Sequence, residues 1–150
     1  VRCSVPAVEP GTRIEPLQLM ETARVRDNFA IGYVPRGPVS GREVLGAFEP
    51  LRDANGRRVG FVGASIGVDQ LREVLDRGRT LDGARSAIID HNGNVIAQSS
   101  VAATSDEPGL PTPAQIRGML GSAPRIIEVQ NGAAVIVPLY EPDIYAVMSW

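Results

Sequence analysis

Phe48-Glu-Pro-Leu-Arg-Asp-Ala-Asn-Gly-Arg-Arg-Val-Gly-Phe-Val-Gly-Ala-Ser-Ile-Gly-Val-Asp-Gln-Leu71 is the stretch whose reading decides the fold. Asn55-Gly56 supplies the positive φ angles of a tight turn, so Arg52 to Gly56 reads as a hairpin loop. The apolar runs on either side, Glu43 to Leu51 and Arg58 to Ile66, then read as its two antiparallel strands. Val68 to Arg77 follows as a helix. Val68, Leu71, Val74 and Leu75 form an apolar stripe, Asp69 sits near its start and Gly78 just past its end.

Working outward, the N-terminal side reads as a strand end at Val1 to Pro6, a loop at Pro10-Gly11, a helix from Ile14 to Val25 and a strand from Phe29 to Val34. On the C-terminal side, Ser86 to Asp90 and Val95 to Ser99 form a hairpin across His91-Asn-Gly-Asn94. After the polar loop Ser105 to Pro111, Thr112 caps a short helix with Pro113 at its first position, running to about Leu120. Three strands close the chain, Arg125 to Gln130, Ala133 to Tyr140 and Ile144 to Trp150, with turns at Asn131-Gly132 and Glu141-Pro142-Asp143. The two halves carry the same element order, with the beginning of the first missing. Val44 to Pro50 also resembles Ala134 to Tyr140, and Phe61 to Ile66 resembles Tyr145 to Trp150. The expected class is α+β, with antiparallel sheets and short helices on one face that enclose a small pocket.

Composition narrows the function. The 150 residues carry a formal charge of −2, so no strong field draws the chain to nucleic acid or to an anionic membrane. All 15 basic residues are Arg, which excludes a Schiff-base or P-loop lysine. The single cysteine, Cys3, forms no internal disulfide and no cysteine zinc site. No apolar run approaches the roughly 20 residues that cross a bilayer. The first residue is not Met, so the sequence is expected to belong to a longer protein, with any signal or membrane anchor outside it.

Phe48 to Leu71 resembles the pattern of Cache sensor domains: a proline, an apolar residue, an aspartate, a glycine and then a small-residue strand leading into a helix. Ala87-Ile-Ile-Asp-His-Asn-Gly-Asn-Val-Ile-Ala97 is similar to the hairpin that opens a following PAS-like module. Val1 to Ser4 resembles the second strand of a first module, and Phe29 to Gly32 with Val39 to Arg42 the strand-turn-strand around its pocket. The resemblance implies tandem PAS-like (Cache) modules, the first lacking its N-terminal helix. The modules would be a partial membrane-distal one over 1–67, a connecting helix over 68–83 and a second module over 84–150. It further implies the periplasmic, small-molecule-sensing part of an inner-membrane histidine kinase. Diguanylate cyclases and chemoreceptors are the alternative hosts. Such a protein pairs with a second copy when intact, calls for no cofactor or metal, and meets the membrane only through segments outside this sequence.

Arg24, Arg26 and Arg42, with Arg36, lie around the first-half pocket elements. Guanidinium groups bind carboxylates bidentately, which suits an organic acid. Tyr33 is placed to stack on a ligand or donate its hydroxyl, and Phe48 and Ser65 to line the pocket. The tyrosine, arginine and tryptophan signature of amino-acid-binding Cache domains is not evident. His91, the only histidine, falls in a turn and reads as solvated. Gly63-Ala-Ser-Ile-Gly67 matches a hydrolase nucleophile elbow, which would require a sharp strand-to-helix turn at Ser65. A ligand-free PAS-type dimerisation module is the other alternative.

Overall fold

Two turns of the same make organise the two halves of the chain. In a computed structural model, which describes residues 18–78, 83–100, 109–119, 123–140 and 143–150, Asp53 opens one turn and Asp90 the other. The Asp53 N–H donates to the Arg57 carbonyl (2.9 Å), and the Gly56 N–H returns a bond to the Asp53 carbonyl (2.9 Å). The Asp53 carboxylate accepts the N–H groups of Asn55 and Arg57 at 3.0 and 2.9 Å. Asp90 repeats the set, with backbone bonds to Asn94 and Gly93 at 3.0 Å each. Its carboxylate takes the N–H groups of Asn92 and Asn94 at 2.8 Å each. Gly56 and Gly93 sit at φ +77 and +81, where a side chain is strained.

The chain divides into two units, 1–67 and 68–150. The first contains α1 (Gln18–Arg26), β1 (Ala30–Val34), β2 (Val44–Arg52) and β3 (Arg58–Gly67). Its strands form an antiparallel sheet in the order β1-β2-β3. A bulge at Leu51/Arg52 sets Arg52 opposite Arg58 next to the turn.

The second unit contains α2 (Val68–Arg77), β4 (Arg85–Asp90), β5 (Val95–Gln98), α3 (Pro113–Arg117), β6 (Arg125–Val129), β7 (Gly132–Tyr140) and β8 (Ile144–Ser149). Its antiparallel sheet runs β5-β4-β8-β7-β6, which puts the last strand at the centre. Ala87, Ile89, Ile127, Ala134, Ile136, Tyr145 and Val147 point to one face and pack under Ile116 of α3. The helix is capped as expected. Gln115 N–H reaches Thr112 Oγ1 at 3.3 Å, and Thr112 N–H reaches Gln115 Oε1 at 2.9 Å. Gly93 lies directly against Pro113: a Cβ there would come within 2.9 Å of the proline Cα.

The elements match the sequence reading closely, with two corrections, and Ser65 falls in a strand as read. Val74 was assigned to the buried stripe of α2 but is 57 % exposed; Val68 is fully buried and Leu71 and Leu75 half-buried. α3 ends at Arg117, short of Leu120, where Gly118 caps it. Ser65 stands in β3 opposite Gly46, in a strand that continues to Gly67, so the sharp turn of a nucleophile elbow is missing. The strand expected at 1–6, Cys3, the first turn of the helix expected from Ile14, and most of the loop expected at 105–111 lie outside the described residues.

Two outcomes follow for stability. Asp53→Ala and Asp90→Ala should each cost about 1–2 kcal/mol in urea unfolding, because each strands two backbone donors. The Asn variants, which keep an acceptor oxygen, should lose clearly less. Ile136→Ala, in β7 beside the central strand of the second sheet, should cost about 2–5 kcal/mol.

Candidate ligand-binding surface

Antiparallel register assigns every side chain of the first sheet to a face, because paired residues project to the same side. Ala30, Phe48 and Gly63 form one row, and Gly32, Gly46 and Ser65 the next. α1 lies over these rows. A Cβ on Gly32 would meet Leu19 Cδ1 at 3.2 Å, and one on Gly46 would meet Leu19 Cδ2 at 3.5 Å. The helix packs on β1 and β2. Beside it Gly63 and Ser65 of β3 are exposed. The Phe48 ring lies across this gap, so that a Cβ on Gly63 would come within 2.7 Å of Phe48 Cε1. The result is a shelf on β3 beside α1, in which the Phe48 ring covers the Gly63 backbone and the Ser65 side chain is exposed.

Of the residues singled out in the sequence, Phe48 and Ser65 are brought together on this shelf. Tyr33 is not. It pairs with Leu45, which pairs with Ile66, on the opposite face, and its hydroxyl donates to Glu43 Oε1 at 2.9 Å. Arg24 is paired along α1 with Glu21 at 2.6 Å, and Arg26 is exposed at the helix end. Arg42 is exposed in the loop from β1 to β2, where its carbonyl accepts the Gly37 N–H at 2.7 Å. His91 is exposed in its turn, with Nε2 3.1 Å from Asn92 Nδ2.

Sequence reasoning missed the charge centre of this unit. Asp27 closes α1 in the left-handed region, at φ 51. Its carboxylate binds the guanidinium of Arg52, and that of Arg58 at 3.1 Å. Arg52 also donates to the Asp27 carbonyl (3.1 Å) and the Gly56 carbonyl (3.0 Å). Arg58 donates to the Arg24 carbonyl at 2.9 Å and lies over the Phe61 ring, 5.7 Å from its centre. Two cations thus meet the negative end of the α1 dipole. The Arg52 hydrogen bond, joined by the charges of Arg52 and Arg58, holds the Asp27 carboxyl below its ordinary range. Only the turn chemistry around Asn55-Gly56 hinted at a partner for these arginines.

The second unit presents two open grooves. One, of about 330 Å³, is almost wholly apolar and runs beside Leu75 of α2 over Val135, Val137, Ala146 and Met148. The other, of about 250 Å³, lies between Met119 and the Arg125–Ile127 segment of β6. Neither was foreseen. The signal for the first was the run of apolar residues on both faces of β7 and β8.

No protein-family model and no curated protein matches the sequence. Solved structures do match. An extracellular ligand-binding receptor from Desulfohalobium retbaense superposes over 94 % of this chain with a TM-score of 0.65 at 14 % identity. The ligand-binding domain of the Pseudomonas fluorescens chemoreceptor CtaA, in complex with L-isoleucine, superposes over 96 % with a TM-score of 0.56 at 13 % identity. This chain shares its fold with both. The periplasmic sensory domain of a Campylobacter jejuni chemoreceptor shares it over 89 % of the chain, with a TM-score of 0.54 at 13 % identity. This chain spans 26 %, 61 % and 54 % of those three chains, respectively. Among the described residues no helix is long and apolar enough to cross a membrane.

The charge centre sets a pH dependence. Because the folded Asp27 carboxyl titrates below its unfolded value, its contribution is complete at neutral pH and is lost only as pH falls through the folded value. Attachment of α1, followed by proteolytic cleavage within Gln18–Arg26, should be constant from neutral pH down to about 5 and loosen only below about pH 4. Asp27→Asn should abolish that dependence.

Proposed function

We propose that this chain is the small-molecule-sensing part of a bacterial membrane receptor, facing the periplasm and built from tandem PAS-like modules over 1–67 and 84–150 joined by the helix of 68–83. It acts by binding and leaves its ligand chemically unchanged. The observation that carries this reading is the near-complete superposition on extracellular ligand-binding domains. The exposed shelf of Phe48, Gly63 and Ser65 beside α1 agrees with it. The names of the matched structures favour a chemoreceptor as host over the histidine kinase suggested by the sequence. In either host the intact protein works as a pair of copies. A ligand that fits one arrangement of α1 better than another shifts the population by its differential affinity.

The ligand is a small organic acid or amino acid lodged on the shelf, with its apolar part on Phe48 and a polar group at the Ser65 hydroxyl. Arg52 and Arg58 are engaged with Asp27, so Arg42 in the adjoining loop is the arginine to test for a carboxylate. A thermal-shift screen of organic acids and amino acids is the direct experiment. A true ligand at about 100 times its dissociation constant adds roughly 2.7 kcal/mol of stability. Gly63→Val should remove that shift, and Arg42→Ala should weaken it for carboxylates alone. The reading fails if no metabolite raises the melting temperature, or if Gly63→Val leaves the shift untouched.

A further inference from the structure

α1 buries little apolar surface and is tied to its sheet by charge at one end. Ala23 is its only fully buried side chain, and Val25 is 74 % exposed. Leu19 rests on Gly32 and Gly46, which present no side chain for it to grip. At the opposite end of the helix the guanidinium groups of Arg52 and Arg58 hold two carbonyls and the Asp27 carboxylate. Arg52 and Arg58 are register partners on β2 and β3, the two strands that carry Phe48 and Gly63.

We infer that Asp27, Arg52 and Arg58 are positioning residues for the ligand shelf: a clamp that pins the C-terminal end of α1 as a pivot, while its Leu19 end lifts from Gly32 and Gly46. This rests on the reading of the shelf as the ligand site. The pivot is fixed to the strands that build the shelf, so the clamp sets how far the helix stands from Phe48 without touching a ligand. The left-handed backbone at Asp27 turns the chain into β1 at that point, and Ala23, one turn before it, moves when the helix lifts.

Thiol labelling tests the clamp without any ligand. In a Cys3→Ser background, a cysteine at Ala23 lies under α1, and one at Ala134 lies in the other unit; both positions are fully buried. Asp27→Asn should raise the maleimide labelling rate of Ala23→Cys roughly threefold, the scale expected for losing a partly exposed charge network. Ala134→Cys should be unchanged, and so should hydrogen exchange at the Leu45 and Ala47 amides in the central strand. Raised salt should speed labelling in the parent but not in Asp27→Asn. If Ala23→Cys does not fold, Val34→Cys, on the same face of the sheet, serves as the probe. The inference is overturned if Asp27→Asn leaves the rate unchanged, or if the Leu45 and Ala47 amides lose protection in step with labelling, which would mean that the unit unfolds as a whole. A failed ligand screen with an intact clamp result removes the sensor reading and leaves the three residues as a clamp on α1 alone; a null labelling result removes only the clamp.

Discussion

An aspartate carboxylate that accepts two backbone N–H groups, followed by a glycine at positive φ, is the constraint on which both sheets depend. A strand shifted by one residue turns every side chain to the opposite face. Each closed turn fixes the pairing next to it, and a bulge just beyond, at Leu51/Arg52 or Ile88/Ile89, shifts the rest of the ladder by one residue. In the first unit the resulting register puts Gly46 opposite Ser65 and Gly63 opposite Phe48. In the second it brings Gly93 against Pro113 and seats α3 over the core.

The two units solve the burial problem differently. The second has a shared cluster of aliphatic residues and Tyr145 beneath a capped helix. The first has a helix with little apolar surface over glycines, joined to the hairpin by guanidinium groups. Close packing of aliphatic side chains resists displacement, whereas an ion cluster on a half-exposed helix end yields to salt and acid.

Much of the fold was legible in the sequence because its signals are local. Asn55-Gly56, Asn92-Gly93 and Thr112-Pro113 announce turns and a helix start within four residues of where they act. The binding surface was legible only in part. Phe48 and Ser65 fall on one face only because the bulge at Leu51/Arg52 moves the ladder by one residue, and Tyr33 is turned away from them by its pairing with Leu45. Asp27 lies 25 residues from Arg52 and 31 from Arg58; contacts over that separation depend on a bulge that no pattern of letters announces. The exposure of Val74 also escaped, since helical spacing identifies a stripe but not how wide the neighbouring sheet is.

In each Asp-X-Asn-Gly-X turn, the residue after the aspartate, Ala54 or His91, takes part in none of the four bonds that close the loop. Both project into solvent. A dye or tether can therefore be attached at either position, at the tip of its hairpin, without disturbing the bonds that close the turn.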